Sequence, residues 1–244
     1  MRAVSVAGQA HAHCRRIVAA PLIGFEHLTR RYNGAHGRLV LDGISGQIAA
    51  GEFVVVLGRS GSGKSTLLNL LGGLDRPTSG VVRFAGQALA TLSDAALTRL
   101  RRQRLGFVFQ AYNLIPTLSV GENLALPLEL NGLPIAGRVA DWLARVGLDG
   151  MAASWPDTLS GGEQQRLAVA RALIHGPDVI LADEPTGNLD LDNANRVVAL
   201  LEALCREHGR TLIMVTHSQE VVGRADRLLS IRHGRLTETG HGCG

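Results

Sequence analysis

Cysteine is scarce in this chain, and long apolar runs are absent from it. The three cysteines (Cys14, Cys205 and Cys243) are scattered, odd in number and without C-x-x-C spacing. That usage argues for a reducing compartment and against a zinc site. No window approaches the roughly 18 uninterrupted apolar residues of a bilayer-spanning helix, so any membrane role is expected to come through another chain. Near the start, the apolar piece Ala3 to Ala7 is too short and interrupted for a secretory signal. His11, His13 and Cys14 could suggest a metal, but residues 1–21 read as a flexible extension. Charge of one sign is also weak: net charge +4 and pI about 9.5 are compatible with nucleic acid, an anionic membrane surface or a nucleotide. The densest basic run, Arg99, Arg101, Arg102 and Arg104, reads as a solvated helix face.

What is present is a core of ordinary size. The 244 residues are 45% apolar, enough to bury one domain, or one core with a subdomain. Its organising stretch is Gly58-Arg59-Ser60-Gly61-Ser62-Gly63-Lys64-Ser65-Thr66, which fits G-x-x-x-x-G-K-[ST]. Glu52–Leu57 ahead of it is a β-branched apolar run suited to a buried parallel strand. Lys64–Leu71 behind it has helical spacing and stops at Gly72-Gly73. Glycines let the backbone curl its N–H groups around an anion, and the helix adds the positive end of its dipole. Lys64 is then placed for terminal phosphates and Ser65 for Mg2+.

Extended segments are expected around Ile23–Leu28 and Leu39–Ile48, with Asn33-Gly34 as the turn between them. Tyr32, at the end of the first, is either an ordinary strand aromatic or a platform for a base. Val81–Phe84 and Leu105–Phe109 read as strands, with a helix capped by Ser93 or Asp94 between them. From Ser119 to His175 the spacing is helical, broken at Asn131-Gly132, Gly147 and Trp155-Pro156, with Pro127 expected to kink the first piece. Strand patterning returns over 178–184 and 211–216, around a helix from Asp190 to Glu207 with Leu191, Ala194, Val198, Leu201 and Leu204 near one face. Arg227–Ile231 and Arg235–Glu238 read as a closing hairpin. Strands alternating with helices predict an α/β protein with a mainly parallel sheet.

Two further constellations carry chemistry. Asp183 and Glu184 end an apolar strand where a parallel sheet opens to its ligand crevice. Asp183 there can help hold Mg2+, and Glu184, one residue on, can deprotonate a water. Leu159-Ser160-Gly161-Gly162-Glu163-Gln164-Gln165-Arg166 opens a helix with Ser and two glycines, a second anion site. One loop already serves this chain's own nucleotide, so the second surface suits the nucleotide of a partner in a head-to-tail pair. His217, after a strand, is by its residues alone either a structural or a catalytic histidine.

On these residues the chain resembles an ATP-binding-cassette (ABC) transporter ATPase over about Leu22 to Gly234. Gly58–Thr66 matches the phosphate loop, Gln110 the switch glutamine, Leu159–Arg166 the signature motif and Val179–Glu184 the second nucleotide motif. Asn188-Leu189-Asp190 matches the dimer-facing loop, His217 the switch histidine and Tyr32 the adenine-stacking aromatic. The resemblance implies a P-loop NTPase core with an antiparallel β subdomain and an inserted helical subdomain. It places the domain at 22–238, the core at 22–110 and 177–238, the helical part at 111–176, and a frayed tail at 239–244. It implies ATP and Mg2+ as ligands. Tyr32, Gly58, Ser60, Gly61, Ser62, Gly63, Lys64, Ser65 and Thr66 would bind the chain's own ATP. Ser65, Gln110 and Asp183 would lie at the metal, with Gln110 also sensing the water. Glu184 would act as base, Lys64 and His217 on the phosphates, and Ser160, Gly161, Gly162, Glu163 and Asp190 would face ATP across a homodimer. Gly73–Gly80, Asn113–Pro116 and Glu122–Leu128 further resemble the lipoprotein-releasing and macrolide-exporter branch. That branch implies an integral membrane permease with a large extracytoplasmic domain as partner, no nucleic acid, and a cytoplasmic place on the inner face of the membrane. The alternative is an ABC ATPase of cell-division or nucleic-acid and ribosome-associated machinery, though the chain has one cassette and no heptad insertion.

Overall fold

The computed structural model describes residues 21–32, 37–218 and 221–241. All but the last residue of the extension read at 1–21, the Asn33-Gly34 turn and residues 242–244 lie outside the described residues. The chain order is β1 (Ile23–Tyr32), β2 (Arg38–Ile48), β3 (Phe53–Leu57), α1 (Lys64–Leu71), β4 (Ser79–Phe84), β5 (Gln87–Ala88), α2 (Asp94–Arg104) and β6 (Leu105–Phe109). Three helices follow, α3 (Val120–Leu130), α4 (Arg138–Arg145) and α5 (Gly161–Leu173). Then come β7 (Val179–Asp183), α6 (Leu191–Glu207), β8 (Thr211–Thr216), β9 (Arg227–Arg232) and β10 (Arg235–His241). β10 pairs with β9 out to His241, so the strand reaches three residues past the domain end expected at 238.

Six strands form a sheet in the order β10-β9-β3-β8-β7-β6, parallel throughout except at the β10–β9 hairpin. A second, antiparallel sheet has the order β2-β1-β4-β5. The reason lies in the composition of the central strands. FVVVL, VILAD and TLIMVT carry apolar residues at nearly every position, so both faces must be covered. Because strand side chains alternate, successive residues enter different cores. Val55, Ile180, Ala182, Leu212 and Met214 face one cluster with Leu124, Leu143, Leu167 and Leu201 of the helices. Val54, Val56, Leu181, Ile213 and Val215 face the other, with Leu67 and Leu70 of α1 and Phe25 and Val82 of the antiparallel sheet. Truncating a fully buried residue such as Leu181 to alanine would cost about 2–5 kcal/mol.

The helices from α3 to α5 pack into the first of these cores rather than around an apolar centre of their own. α5 in particular lies tightly on β6: a Cβ at Gly106 would meet the Ala172 carbonyl oxygen at 2.2 Å, so only glycine permits the approach. Pro127 does not break α3, which continues to Leu130. α6 buries Val197, Val198, Leu201, Leu204 and Cys205. Leu191, expected on that face, is instead 69% exposed, because it is the first residue after the Asp190 cap. The basic run of α2 is only partly a solvated face: Arg101 donates to the Gly73 carbonyl at 2.8 Å, and Arg104 pairs with Asp178 and covers the Phe84 ring.

Candidate active site

The sheet order places four strand ends side by side at one edge. The ends of β3, β8, β7 and β6 carry, in that order, the glycine loop, His217, the Asp183-Glu184 pair and Gln110. This is the carboxyl edge of a parallel sheet, where ligand crevices form.

The loop between β3 and α1 turns on Gly63, which caps α1 in a left-handed conformation (φ +105°). Among the described residues no side chain caps the first N–H groups of α1, and no acid stands in its first turn. Those donors therefore point outward unshared by any cap. Lys64 is buried, and its ammonium donates to the carbonyls of Gly58 at 2.8 Å and Arg59 at 3.3 Å and pairs with Glu184 Oε1 at 3.1 Å. The Ser62 hydroxyl is buried without a hydrogen-bond partner among the described residues. Arg38 of β2 braces the loop from outside, donating to the Gly61 carbonyl at 2.9 Å.

Glu184 follows β7 with φ +46°, a left-handed conformation unusual outside glycine and costing on the order of 1–3 kcal/mol. Its peptide N–H donates to the Val215 carbonyl at 3.0 Å. Its Oε2 accepts from His217 Nδ1 at 2.8 Å and from the His217 peptide N–H at 3.3 Å. The carboxylate acceptor puts a proton on Nδ1, which leaves Nε2 as the ring nitrogen not engaged by Glu184. Both Glu184 oxygens are thus engaged, one by Lys64 and one by His217. Asp183 accepts from the Ser65 hydroxyl at 2.9 Å. Its carboxyl is raised above the ordinary aspartate value of 3.8, first by burial and further by the Glu184 charge, against the opposing Ser65 hydrogen bond and Lys64. A hydroxyl and a half-buried carboxylate side by side are hard oxygen donors of the kind Mg2+ takes. Together with the uncapped α1 and the orphaned Ser62 hydroxyl, they fit a nucleotide phosphate with its cation.

Some expected site residues lie apart. Gln110 turns toward Asn188: its amide donates to Asn188 Oδ1 at 3.0 Å, and Asn188 returns a bond to the Gln110 carbonyl at 3.1 Å. Its side chain therefore engages neither Ser65 nor Asp183, which bond each other. Tyr32 is 39% exposed, with its hydroxyl donating to Asp75 at 2.9 Å and the Arg30 guanidinium 4.4 Å from its ring centre. A cavity of about 820 Å3 opens on Gly58–Ser62, His217, Arg38–Val40 and Ser230–Gly234. Lys64, Asp183 and Tyr32 do not line it, so it flanks the loop rather than the carboxylates.

Ser160 and Asp190 stand elsewhere. Ser160 caps α5 in a reciprocal box: its hydroxyl oxygen accepts from the Glu163 N–H, while Glu163 Oε2 accepts from the Ser160 N–H at 2.8 Å and from its hydroxyl at 2.5 Å. These bonds hold the Glu163 carboxyl below its usual range. Asp190 caps α6, accepting from Asn193 N–H at 2.9 Å and Asn193 Nδ2 at 2.6 Å, which lowers its pKa. α5 packs on edge strand β6, three strand positions from β3 in the sheet order, or about 14 Å at the usual interstrand spacing.

The sequence motifs include Asn188, Asn113 and Asn123 but do not show the bonds by which they shape this edge, and they leave out Arg171. Asn188 holds Gln110, and Arg171 of α5 donates to the carbonyls of Tyr112 and Asn113 at 3.1 and 2.7 Å. Buried Asn123 ties down the same connection through Ile115 and Leu118. Left-handed φ values at Tyr112 (+58°) and Asn113 (+52°) show why the connection needs such clamps.

The family model for the ABC transporter matches residues 41–187. An uncharacterised ABC transporter ATP-binding protein of Mycobacterium tuberculosis is 47% identical over 220 residues, covering 88% of this chain and 89% of its own. The macrolide export ATP-binding/permease protein MacB of Hyphomonas neptunium is 47% identical over 88% of this chain, and the pyoverdine export ATP-binding/permease protein PvdT of Pseudomonas entomophila 48% over 90%. In both of those cases the chain spans 34% of the relative's length. Among solved structures, a dimeric ATP-binding cassette in a post-hydrolysis state with ADP and Pi superposes with TM-score 0.83 at 38% identity, over 91% of this chain and 99% of that one. With its phosphate loop, paired acids and signature helix set on this sheet, the chain belongs to the ABC transporter family as an ATPase domain.

Proposed function

We propose that the protein hydrolyses ATP as the motor subunit of an export-type or lipoprotein-release transporter, pairing head-to-tail with a second copy on ATP and driving a separate membrane permease. One observation carries the catalytic part: Lys64, Glu184 and His217, from three different strand ends, converge within hydrogen-bond distance beside the Ser65–Asp183 pair. Lys64, Ser60–Ser62 and Thr66 bind the phosphates, and Tyr32 stacks on the base with the ring face that Arg30 leaves open. Ser65 and Asp183 would hold Mg2+, which would supply charge neutralisation at the terminal phosphates, and Gln110 would join them on giving up its bond to Asn188. Lys64 exchanges Glu184 for a phosphate oxygen, and that exchange frees Glu184 Oε1 to take a proton from water. His217 keeps the carboxylate oriented through Oε2 and presents Nε2 to the γ-phosphate. Ser160, Gly161, Gly162, Glu163 and Asp190 face the partner's nucleotide; their distance from the chain's own loop supports the pairing, as does the dimeric state of the related cassette.

The permease reading draws on the names of MacB and PvdT, which join ATP-binding and permease parts in one protein. A separate permease chain agrees with the M. tuberculosis relative, an ATP-binding protein of nearly this length. Among the described residues no helix is long and apolar enough to cross a membrane; the place on the inner membrane face follows from the permease that MacB and PvdT carry. Glu184→Gln tests the core of this reading. ATP affinity, read with a fluorescent analogue, stays within about threefold, and turnover falls by roughly 10²–10⁴-fold, the range for a lost general base. Unchanged turnover in the purified variant removes Glu184 from the role.

A further inference from the structure

Gln165 lies in the second turn of α5, five residues past the Ser160 cap, and is wholly buried. Its Nε2 donates to the Pro185 carbonyl at 2.6 Å and to the Phe109 carbonyl at 3.3 Å. Its Oε1 has no partner among the described residues. Only the NH2 end of an amide can serve two carbonyls, so the neighbours fix its orientation. Packing alone does not call for this residue: a leucine would fill the space without leaving an amide oxygen unmet. The two acceptors explain it better. Pro185 follows Glu184, and Phe109 precedes Gln110. Glu184 sits in a left-handed conformation that persists only where neighbours hold the backbone on both sides. Val215 accepts its N–H on one side, and Gln165 grips the next carbonyl on the other.

We propose that Gln165 is a positioning residue for Glu184, holding the strained turn after β7 against the helix that carries the Ser160 surface. The inference rests on the reading of Glu184 as the base, and it assigns Gln165 no contact with ATP or water. The test is a double-mutant cycle in the full chain with Gln165→Leu, Glu184→Gln and both, read by single-turnover hydrolysis and ATP titration. Gln165→Leu lowers the hydrolysis rate by about fivefold or more, since small misplacements of a reacting group cost up to about 10²-fold. Its ATP affinity stays within about threefold. Added to Glu184→Gln, it slows hydrolysis no further, because the group it positions is already gone. Loss of structure alone would not give that non-additivity. A rate within fivefold of the parent, or effects that multiply in the double variant, overturns the inference while leaving Glu184 as base. Unchanged hydrolysis in Glu184→Gln itself overturns both readings. Should Gln165→Leu fail to fold, Gln165→Glu replaces it in the same cycle: a protonated carboxyl can serve only one of the two carbonyls, and the same outcomes apply.

Discussion

The two helix starts proposed to meet phosphate are capped in opposite ways. α1 begins at left-handed Gly63 with no side-chain cap and no acid in its first turn. α5 begins at Ser160 with a complete capping box and Glu163 in its first turn. A capping box satisfies the orphan donors of a helix with the chain's own atoms and places a carboxylate at the positive dipole end. α1 is thus left open for a phosphate, its buried lysine held in reserve by Glu184 and two loop carbonyls. α5 is self-satisfied, and its Ser160 hydroxyl is engaged by Glu163 until something displaces it. On the proposed reading, the open start binds the chain's own nucleotide and the self-capped start meets the partner's only once that nucleotide is in place.

That contrast can be broken most severely at α1. Lys64→Ala removes a charged donor from the open site, and ATP affinity is expected to fall by roughly 10–100-fold, the worth of hydrogen bonds to charged groups. Equilibrium titration with a fluorescent ATP analogue reads it, and an unaltered affinity contradicts the phosphate role. Ser160→Ala should leave that titration unchanged while abolishing ATP-driven pairing in sedimentation. It should also destabilise the chain by about 1 kcal/mol through the lost cap. Weakened binding in the unpaired chain would mean that the two helix starts serve one nucleotide. The smallest effect is expected from Glu163→Gln. Removing one negative charge from a helix start that meets phosphate should tighten ATP-driven pairing several-fold, in line with about 0.3–1 kcal/mol for a charge at a helix end. Weaker pairing would show that the capping box, rather than its charge, governs this surface.

The open helix start was legible in the sequence and the closed one only half so, for a physical reason. A glycine loop between a β-branched run and a helical stretch is a local pattern, and β3, α1, β6, β7 and β8 appear at the positions their periodicity implies. Asp183, Glu184 and Lys64 were nameable because strand ends in a parallel sheet share one edge. Bonds between distant segments leave no such trace. Asn188 and Gln110 are 78 residues apart, and nothing local in either says that they pair. Gln165 did leave a signal: it sits on the buried stripe of α5 with Gly162, Val169 and Ala172, where a polar side chain must find a backbone partner. Leu191 was misassigned because helical spacing cannot tell a capped first turn from the packed ones that follow.

The most direct test of the paired-site account is the mass in solution of the Glu184→Gln chain with ATP and Mg2+, followed by light scattering over a range of concentration and salt. A dimer is expected that forms with ATP, dissociates with ADP and is lost when Ser160→Ala is added. A chain that holds its ATP yet stays monomeric under every condition contradicts it.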